Sequence, residues 1–253
     1  MIYWLTQTLA AHPALARAEA PEGLLNTEEQ VRYRSLVVEK RRRDWVLGRW
    51  TAKHLVAAHL ESATGRRPAL SDIAITADPD GAPRVTITGA SASFGDLALS
   101  ISHSRDRAFC ALTAIPGCAP GADIEYVEDR DPSFVAEFFA NAEIRMISGA
   151  PAPLQTLLVT AIWSAKEAVL KALHHGLTVD TRNIVCLPSD PIDNAWVPIR
   201  ITCDSSLTGA TFRGWWRALD GFALTLAVNE DLTAGQTIAS NMGQEQAYNG
   251  VHR

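Results

Sequence analysis

Apolar and polar residues alternate at Arg84-Val85-Thr86-Ile87-Thr88, the period-two pattern of a half-buried strand. Short apolar runs bounded by turn residues predict further strands at 2–5, 73–75, 97–101, 107–113, 122–126, 183–187, 196–202, 214–219 and 222–228. Asp78-Pro79-Asp80-Gly81 carries turn chemistry. Elsewhere the spacing is helical. Leu36, Val37, Trp45, Leu47, Trp50, Leu55, Val56 and Leu60 recur at intervals of three and four, predicting helix from Asn26 to about Leu60 with one break. Asn26 can cap its start and Glu29 occupies the reciprocal capping-box position. Residues 64–68 end it. A short helix is expected at 133–139 and a long one at 153–173, with Gly176 suited to close the latter.

Residues 115–121 hold two Pro and two Gly in seven positions, the best internal boundary in the chain. Each side of it has helices plus a small, antiparallel-looking set of strands. This predicts a duplicated α+β protein, with halves at 1–116 and 117–239 and a polar tail at 240–253. No short solenoid repeat is present.

Of the 253 residues 47% are hydrophobic and 20% charged, which excludes global disorder and a collagen-like chain. The net charge of −5 disfavours a protein that coats nucleic acid. Cys110, Cys118, Cys186 and Cys203 form no C-x-x-C pair, so reduced thiols in a cytoplasmic protein are expected. No apolar run is long enough to span a membrane. Residues 2–11 lack a preceding Lys or Arg, and 2–5 are read as a first strand rather than part of a signal peptide. The charge is uneven. Residues 32–53 hold eight basic residues and two acids, or +6; residues 123–143 hold seven acids and one base, or −6. Two solvated faces would explain this, and so would a site for a metal and a polyphosphate.

Four clusters can carry chemistry. Asp123 and Glu125, two apart on a strand, share a face, and their proximity is costly unless a cation neutralises it. Trp163, Glu167 and Lys171 lie on one helical stripe. A surface Glu–Lys pair beside a buried Trp is the plain reading; a third carboxylate facing Asp123 and Glu125 is the functional one, and would favour Mg²⁺ over Zn²⁺. In Ser102-His103-Ser104 a histidine flanked by hydroxyls at a strand end can donate to phosphate. Arg43, Arg49 and Lys53 lie on a basic helix, where Gly48 implies close packing.

In this order, these residues resemble the 4′-phosphopantetheinyl transferase superfamily, in particular its long, surfactin-synthetase-activating branch. The matching patterns are the Arg-rich helix ending in Gly48-Arg49, Ser102-His103-Ser104, Gly-x-Asp-x-Glu at 121–125, Phe-Phe-x-x-x-Glu at 138–143 and Trp-Ser-x-Lys-Glu-x-x-x-Lys at 163–171. The resemblance covers about 25–187. It implies two similar halves related by a pseudo-twofold, each a small, mostly antiparallel sheet on a long helix, with the active site in the cleft between them. It implies transfer of the phosphopantetheine arm of coenzyme A to a serine of an apo acyl or peptidyl carrier protein, releasing adenosine 3′,5′-bisphosphate. Asp123, Glu125 and Glu167 would hold Mg²⁺, with Mn²⁺ as an alternative. His103 and Ser102 would meet the pyrophosphate side of coenzyme A, and Lys171 would neutralise phosphate. Glu143 would act as base, directly or through water, or as an outer metal contact. Arg43, Arg49, Lys53 and Lys40 would meet the 3′-phosphate or shape its pocket. The carrier could belong to fatty-acid, polyketide or nonribosomal-peptide synthesis, and a monomer is expected.

Two positions depart from the family pattern. Ala122 stands where a branched residue is usual, removing volume but no ligand. In Gly81-Ala82-Pro83-Arg84 the basic residue is displaced from second place to fourth. The competing readings are a non-catalytic binder of coenzyme A or a carrier, and a nucleic-acid binder using Arg41-Arg42-Arg43 with Trp45 and Trp50, which would leave the acidic residues unexplained. Neither a G-x-S-x-G elbow, a Walker loop nor H-E-x-x-H occurs.

Overall fold

The computed structural model describes residues 1–88, 97–174, 179–205, 207 and 211–229. The chain forms two compact units. One comprises Met1–Asp78 and Pro83–Ile115; the other comprises the turn Pro79–Ala82 and the described residues from Pro116 onward. The architecture is α+β, with one five-stranded antiparallel sheet in each unit. The predicted tail at 240–253 and Gly176 lie outside the described residues.

In the first unit, β1 (Ile2–Thr8) is followed by a short α1 (Pro13–Ala16), α2 (Thr27–Ser35) and the long α3 (Glu39–Thr64). The expected break is at 36–38. The Asn26 side chain accepts from Glu29 N while Glu29 returns the bond to Asn26 N, a full capping box. Gly65, at φ +73, closes α3 in the left-handed conformation that glycine adopts without strain. Strands β2 (Ile73–Ala77), β3 (Pro83–Ile87), β4 (Ala98–Ser104) and β5 (Arg107–Thr113) complete the sheet in the order β1-β5-β4-β3-β2. Val56, Ala57 and Leu60 of α3 pack with Ile73, Ile75 and Leu112 to form the core. At Gly48 α3 comes close to the sheet: a Cβ there would lie 3.2 Å from Ile101 Cγ2.

The second unit repeats the plan. Strand β6 (Pro120–Tyr126) leads into α4 (Pro132–Phe138), α5 (Asn141–Gly149) and the long α6 (Ala152–Leu173). Strands β7 (Ile184–Pro188), β8 (Val197–Cys203), β9 (Phe212–Leu219) and β10 (Phe222–Asn229) follow. Their order, β6-β10-β9-β8-β7, reproduces that of the first sheet. His174, at φ 57, caps α6. Ile162, Ala165, Val169 and Leu170 bury the inner stripe of α6 against Ile184, Trp216 and Ala227.

The duplication extends to side chains. Trp50-Thr51-Ala52-Lys53 in α3 and Trp163-Ser164-Ala165-Lys166 in α6 share a pattern. In each, the lysine is buried and pairs with a glutamate at the third position of a preceding helix, whose carboxylate accepts from the backbone N–H of the N-cap residue. Lys53 binds Glu29 and the Leu24 carbonyl, and Glu29 Oε1 accepts from Ile75 N of β2. Lys166 binds Glu143 and the carbonyls of Thr181 and Ile184, and Glu143 Oε1 accepts from Cys186 N of β7. Each pair thus ties the long helix, a preceding helix and the same edge strand together.

Candidate active site

The site of the second unit is assembled where β6 crosses α6. Gly121 makes the crossing close: a Cβ on it would lie 1.7 Å from the Ala168 carbonyl oxygen. No other residue type fits without moving the strand from the helix. Residues at every second position share that face, so Asp123 and Glu125 follow Gly121 toward α6. Lys171 Nζ donates to Asp123 Oδ1 at 2.7 Å and to the Ala122 carbonyl at 3.1 Å. Ala122 itself is fully buried, and its contribution is this main-chain oxygen, so the loss of a branched side chain there removes no polar group.

Glu125, nearer the strand end, is half-buried. Its Oε2 accepts from Arg130 Nη2 at 3.1 Å, and the Trp163 side chain donates to it. Burial, with repulsion from Asp123 and Glu167, raises its pKa to about 7 against the pull of Arg130 and Trp163. Glu167 is pushed up in the same way, by burial first and then by Asp123, against Lys171. Glu167 Oε1 is buried with no hydrogen-bond partner. Phe134 and Phe138 each pack edge to face on Trp163 and lie tilted against one another beside these groups, with ring centroids 4.9 to 5.3 Å apart.

Asp123, Glu125, Glu167 and Lys171 therefore belong to one electrostatic cluster. Among the described residues no three His, Cys, Asp or Glu side chains form a ready-made metal cage, and Lys171 and Arg130 pair with Asp123 and Glu125. The donor set still fits a hard divalent cation. It is all carboxylate, its members repel one another, and one buried oxygen lacks a partner.

Glu143 is elsewhere. It is fully buried, and burial pushes its carboxyl up while Lys166 and two backbone N–H groups pull it down. Its Oε2 takes Ala140 N at 2.7 Å and Lys166 Nζ at 2.9 Å, and its Oε1 takes Cys186 N at 2.7 Å. Both oxygens are thus engaged in holding the fold together, leaving no face for an incoming hydroxyl.

The basic candidates of the first unit divide similarly. Lys53 is fully buried on Glu29, and burial lowers its pKa against that partner's pull. This geometry does not present it to a phosphate. Arg49, also mostly buried, stacks over Trp45 at 4.8 Å with its Nε 3.7 Å from Glu29 Oε1. Burial lowers its pKa too. Arg43 is half-buried, with a buried Nε that has no hydrogen-bond partner. Lys40 is exposed and bridges to Asp44 at 3.1 Å. In β4, Ser102 is buried and His103 exposed. Arg84 pairs with Asp78 at 2.6 Å on the exposed β2–β3 turn.

Reading the sequence missed Glu29 and Arg130 as partners of the candidate residues. The repeated Trp-Thr/Ser-Ala-Lys was the available signal for Glu29, since equivalent lysines call for equivalent counter-ions.

Residues 119–226, just under half of the chain, match the family model described as the 4′-phosphopantetheinyl transferase superfamily. The matched stretch lies within the second unit. No curated protein matches the chain. Among solved structures, the domain is similar to a holo-(acyl-carrier-protein) synthase from Bacillus anthracis in complex with coenzyme A (3′,5′-ADP). Identity is 23% over 44% of this chain and 91% of that one, with a TM-score of 0.36. It is also similar to the Helicobacter pylori synthase in complex with coenzyme A, at 20% identity over 44% of this chain and 98% of that one, TM-score 0.35. The Thermotoga maritima synthase aligns at 20% identity over 44% of this chain, TM-score 0.35, and there the match spans 61% of the relative's length.

Proposed function

We propose that the chain is a 4′-phosphopantetheinyl transferase that moves the phosphopantetheine arm of coenzyme A onto a serine hydroxyl of an apo acyl or peptidyl carrier protein. Adenosine 3′,5′-bisphosphate is the other product. One observation carries this reading: the superfamily match over 119–226 contains the crossing of β6 and α6 where Asp123, Glu125, Glu167 and Lys171 meet.

The transfer breaks a pyrophosphate P–O bond and forms a serine phosphodiester, so positioning and charge neutralisation are the main demands. Asp123, Glu125 and Glu167 would hold Mg²⁺, or Mn²⁺ in its place, and the bound ion would supply positive charge to the pyrophosphate oxygens. Lys171 is poised to pass from Asp123 to a phosphate oxygen as negative charge grows there. Glu143 is replaced in the role of base, since a base must reach the proton it removes. Glu167, only half-buried where Glu143 is fully buried, is the carboxylate suited to receive the serine proton directly or through water. His103 and Ser102 would bind phosphate from the first unit. Arg43 and Arg49 would meet the 3′-phosphate, while Lys53 would support their helix from within. We further propose a cytoplasmic monomer of the long, surfactin-synthetase-activating branch.

Intact-protein mass spectrometry of an apo carrier incubated with the protein, coenzyme A and Mg²⁺ tests the reading. A gain of one phosphopantetheine group is expected, lost with EDTA and in Asp123→Ala. No gain across fatty-acid, polyketide and peptide carriers, with coenzyme A still bound, would leave a coenzyme A-binding module instead.

A further inference from the structure

The acidic cluster holds three carboxylates, and the structure supplies two cations to them. Lys171 serves Asp123, and Arg130 serves Glu125. Sequence spacing points to Lys171, which lies on the same helical stripe as Glu167. It does not point to Arg130, which lies between β6 and α4, within the acidic stretch of the chain and outside every regular element.

The placement of Arg130 is specific. Its guanidinium lies over the Phe134 ring at 5.4 Å, and Phe134 packs edge-on against Trp163 at 4.9 Å, which in turn donates to Glu125. The aromatic wall thus fixes both ends of the Arg130–Glu125 pair. The pair is a quarter exposed on each side, at 25% and 25%, so the guanidinium can leave Glu125 without the core opening. A guanidinium has five N–H donors in a fixed fork. Of these, Nη2 is used on Glu125, and the buried Nε has no hydrogen-bond partner. A cation with spare donors beside a carboxylate is built for a second anion.

We propose that Arg130 is an exchangeable counter-ion: it neutralises Glu125 in the free protein and moves to a phosphate oxygen of the substrate when a divalent cation takes its place at Glu125. The proposal rests on the transferase reading and adds to it an anion-binding residue outside the recognised motifs. Physically, a fixed positive charge next to Glu125 opposes a divalent cation while the site is empty of phosphate. Once a pyrophosphate is present, the same charge attracts it. Its removal must therefore act in opposite directions on the two ligands.

Mn²⁺ binding to the coenzyme A-free protein, followed by electron paramagnetic resonance, and the KM for coenzyme A in the carrier assay test this together. Arg130→Met is expected to bind Mn²⁺ about tenfold more tightly and to raise the KM for coenzyme A about tenfold. Arg130→Lys, which keeps the charge and loses the fork, is expected to bind Mn²⁺ like wild type and to restore part of the KM loss. Thermal midpoints of both variants report on folding. Weaker Mn²⁺ binding in Arg130→Met, or unchanged values for both ligands, would overturn the proposal while the transferase reading stands. Changes that only follow a lowered thermal midpoint, and that Arg130→Lys shares equally, would also overturn it by assigning Arg130 to the fold. A wild-type protein that neither binds Mn²⁺ nor modifies any carrier would overturn the parent reading and this proposal with it.

Discussion

Lys166 and Glu143 form an ion pair of 2.9 Å in which neither side chain is exposed to solvent. Lys53 and Glu29 form its counterpart in the first unit, which carries no equivalent of Asp123, Glu125 and Glu167 on β1 and α3. A device present in the half without the acidic cluster serves the fold rather than the reaction. Its second-unit copy still matters to the site, because Lys166 precedes Glu167 and fixes the height of α6 against β7.

Glu143→Ala should therefore destabilise the protein by about 3–5 kcal/mol, since it strands a buried ammonium and two backbone N–H groups. Urea unfolding of Glu143→Ala beside a Glu143→Leu/Lys166→Met double variant checks this. The double variant should recover much of the loss. Full stability in Glu143→Ala with transfer abolished would instead return Glu143 to the chemistry.

Gly121→Ala tests the helix–strand crossing. The added methyl would sit 1.7 Å from a backbone oxygen, which cannot rotate away as a side chain could. Overpacking of this kind costs about 1–3 kcal/mol or more. The expected result is a lowered thermal midpoint and loss of transfer, whereas Gly149→Ala, where a Cβ meets nothing within 4 Å, should be close to neutral.

Glu125 gives a pH dependence of defined sign. Its pKa rises from 4.5 to about 7 on folding, so between these values the folded protein binds more protons than the unfolded chain. Stability from this group is present below pH 4.5 and is lost as pH rises through about 7. In EDTA, Glu125→Gln should match wild type near pH 5 and become the more stable protein toward pH 8. Added Mg²⁺ should narrow the gap at pH 8 by favouring the ionised wild-type carboxylate. Thermal midpoints against pH, with and without metal, measure both effects.

Lys53 and Arg43 should separate in their kinetics. Lys53→Ala leaves Glu29 buried without its closest cation, at a cost of about 3–5 kcal/mol by the same argument, with the KM for coenzyme A nearly unchanged in the folded fraction. Arg43→Ala, which leaves no such charge behind, should raise that KM with little change in stability. A large KM effect from Lys53→Ala at full stability would restore it to the phosphate site.

Most of the regular structure is legible in the chain because it depends on local periodicity. The period-two run at 84–88, the capping box at Asn26 and Glu29, and the helical stripe ending at Lys171 each appear within a residue or two of their expected places. Short α1 and α5 are not predicted, although α4, which is shorter than α5, is. The chemical types at the site are likewise written in the sequence: carboxylates two apart on a strand, and a glutamate and lysine four apart on a helix.

What the sequence could not assign is the partner of each charge. Lys53, Glu143 and Lys171 look alike in the chain, as charged residues within recognisable motifs. Tertiary structure separates them, because a charge taken from water must find a counter-ion, and which one it finds depends on elements far apart in sequence. Lys53 meets Glu29 and Glu143 meets Lys166 inside a core, while Lys171 meets Asp123 at its edge. The residue types of the site were thus set by sequence alone; which of them lie sealed in a core and which at its edge was decided by tertiary packing.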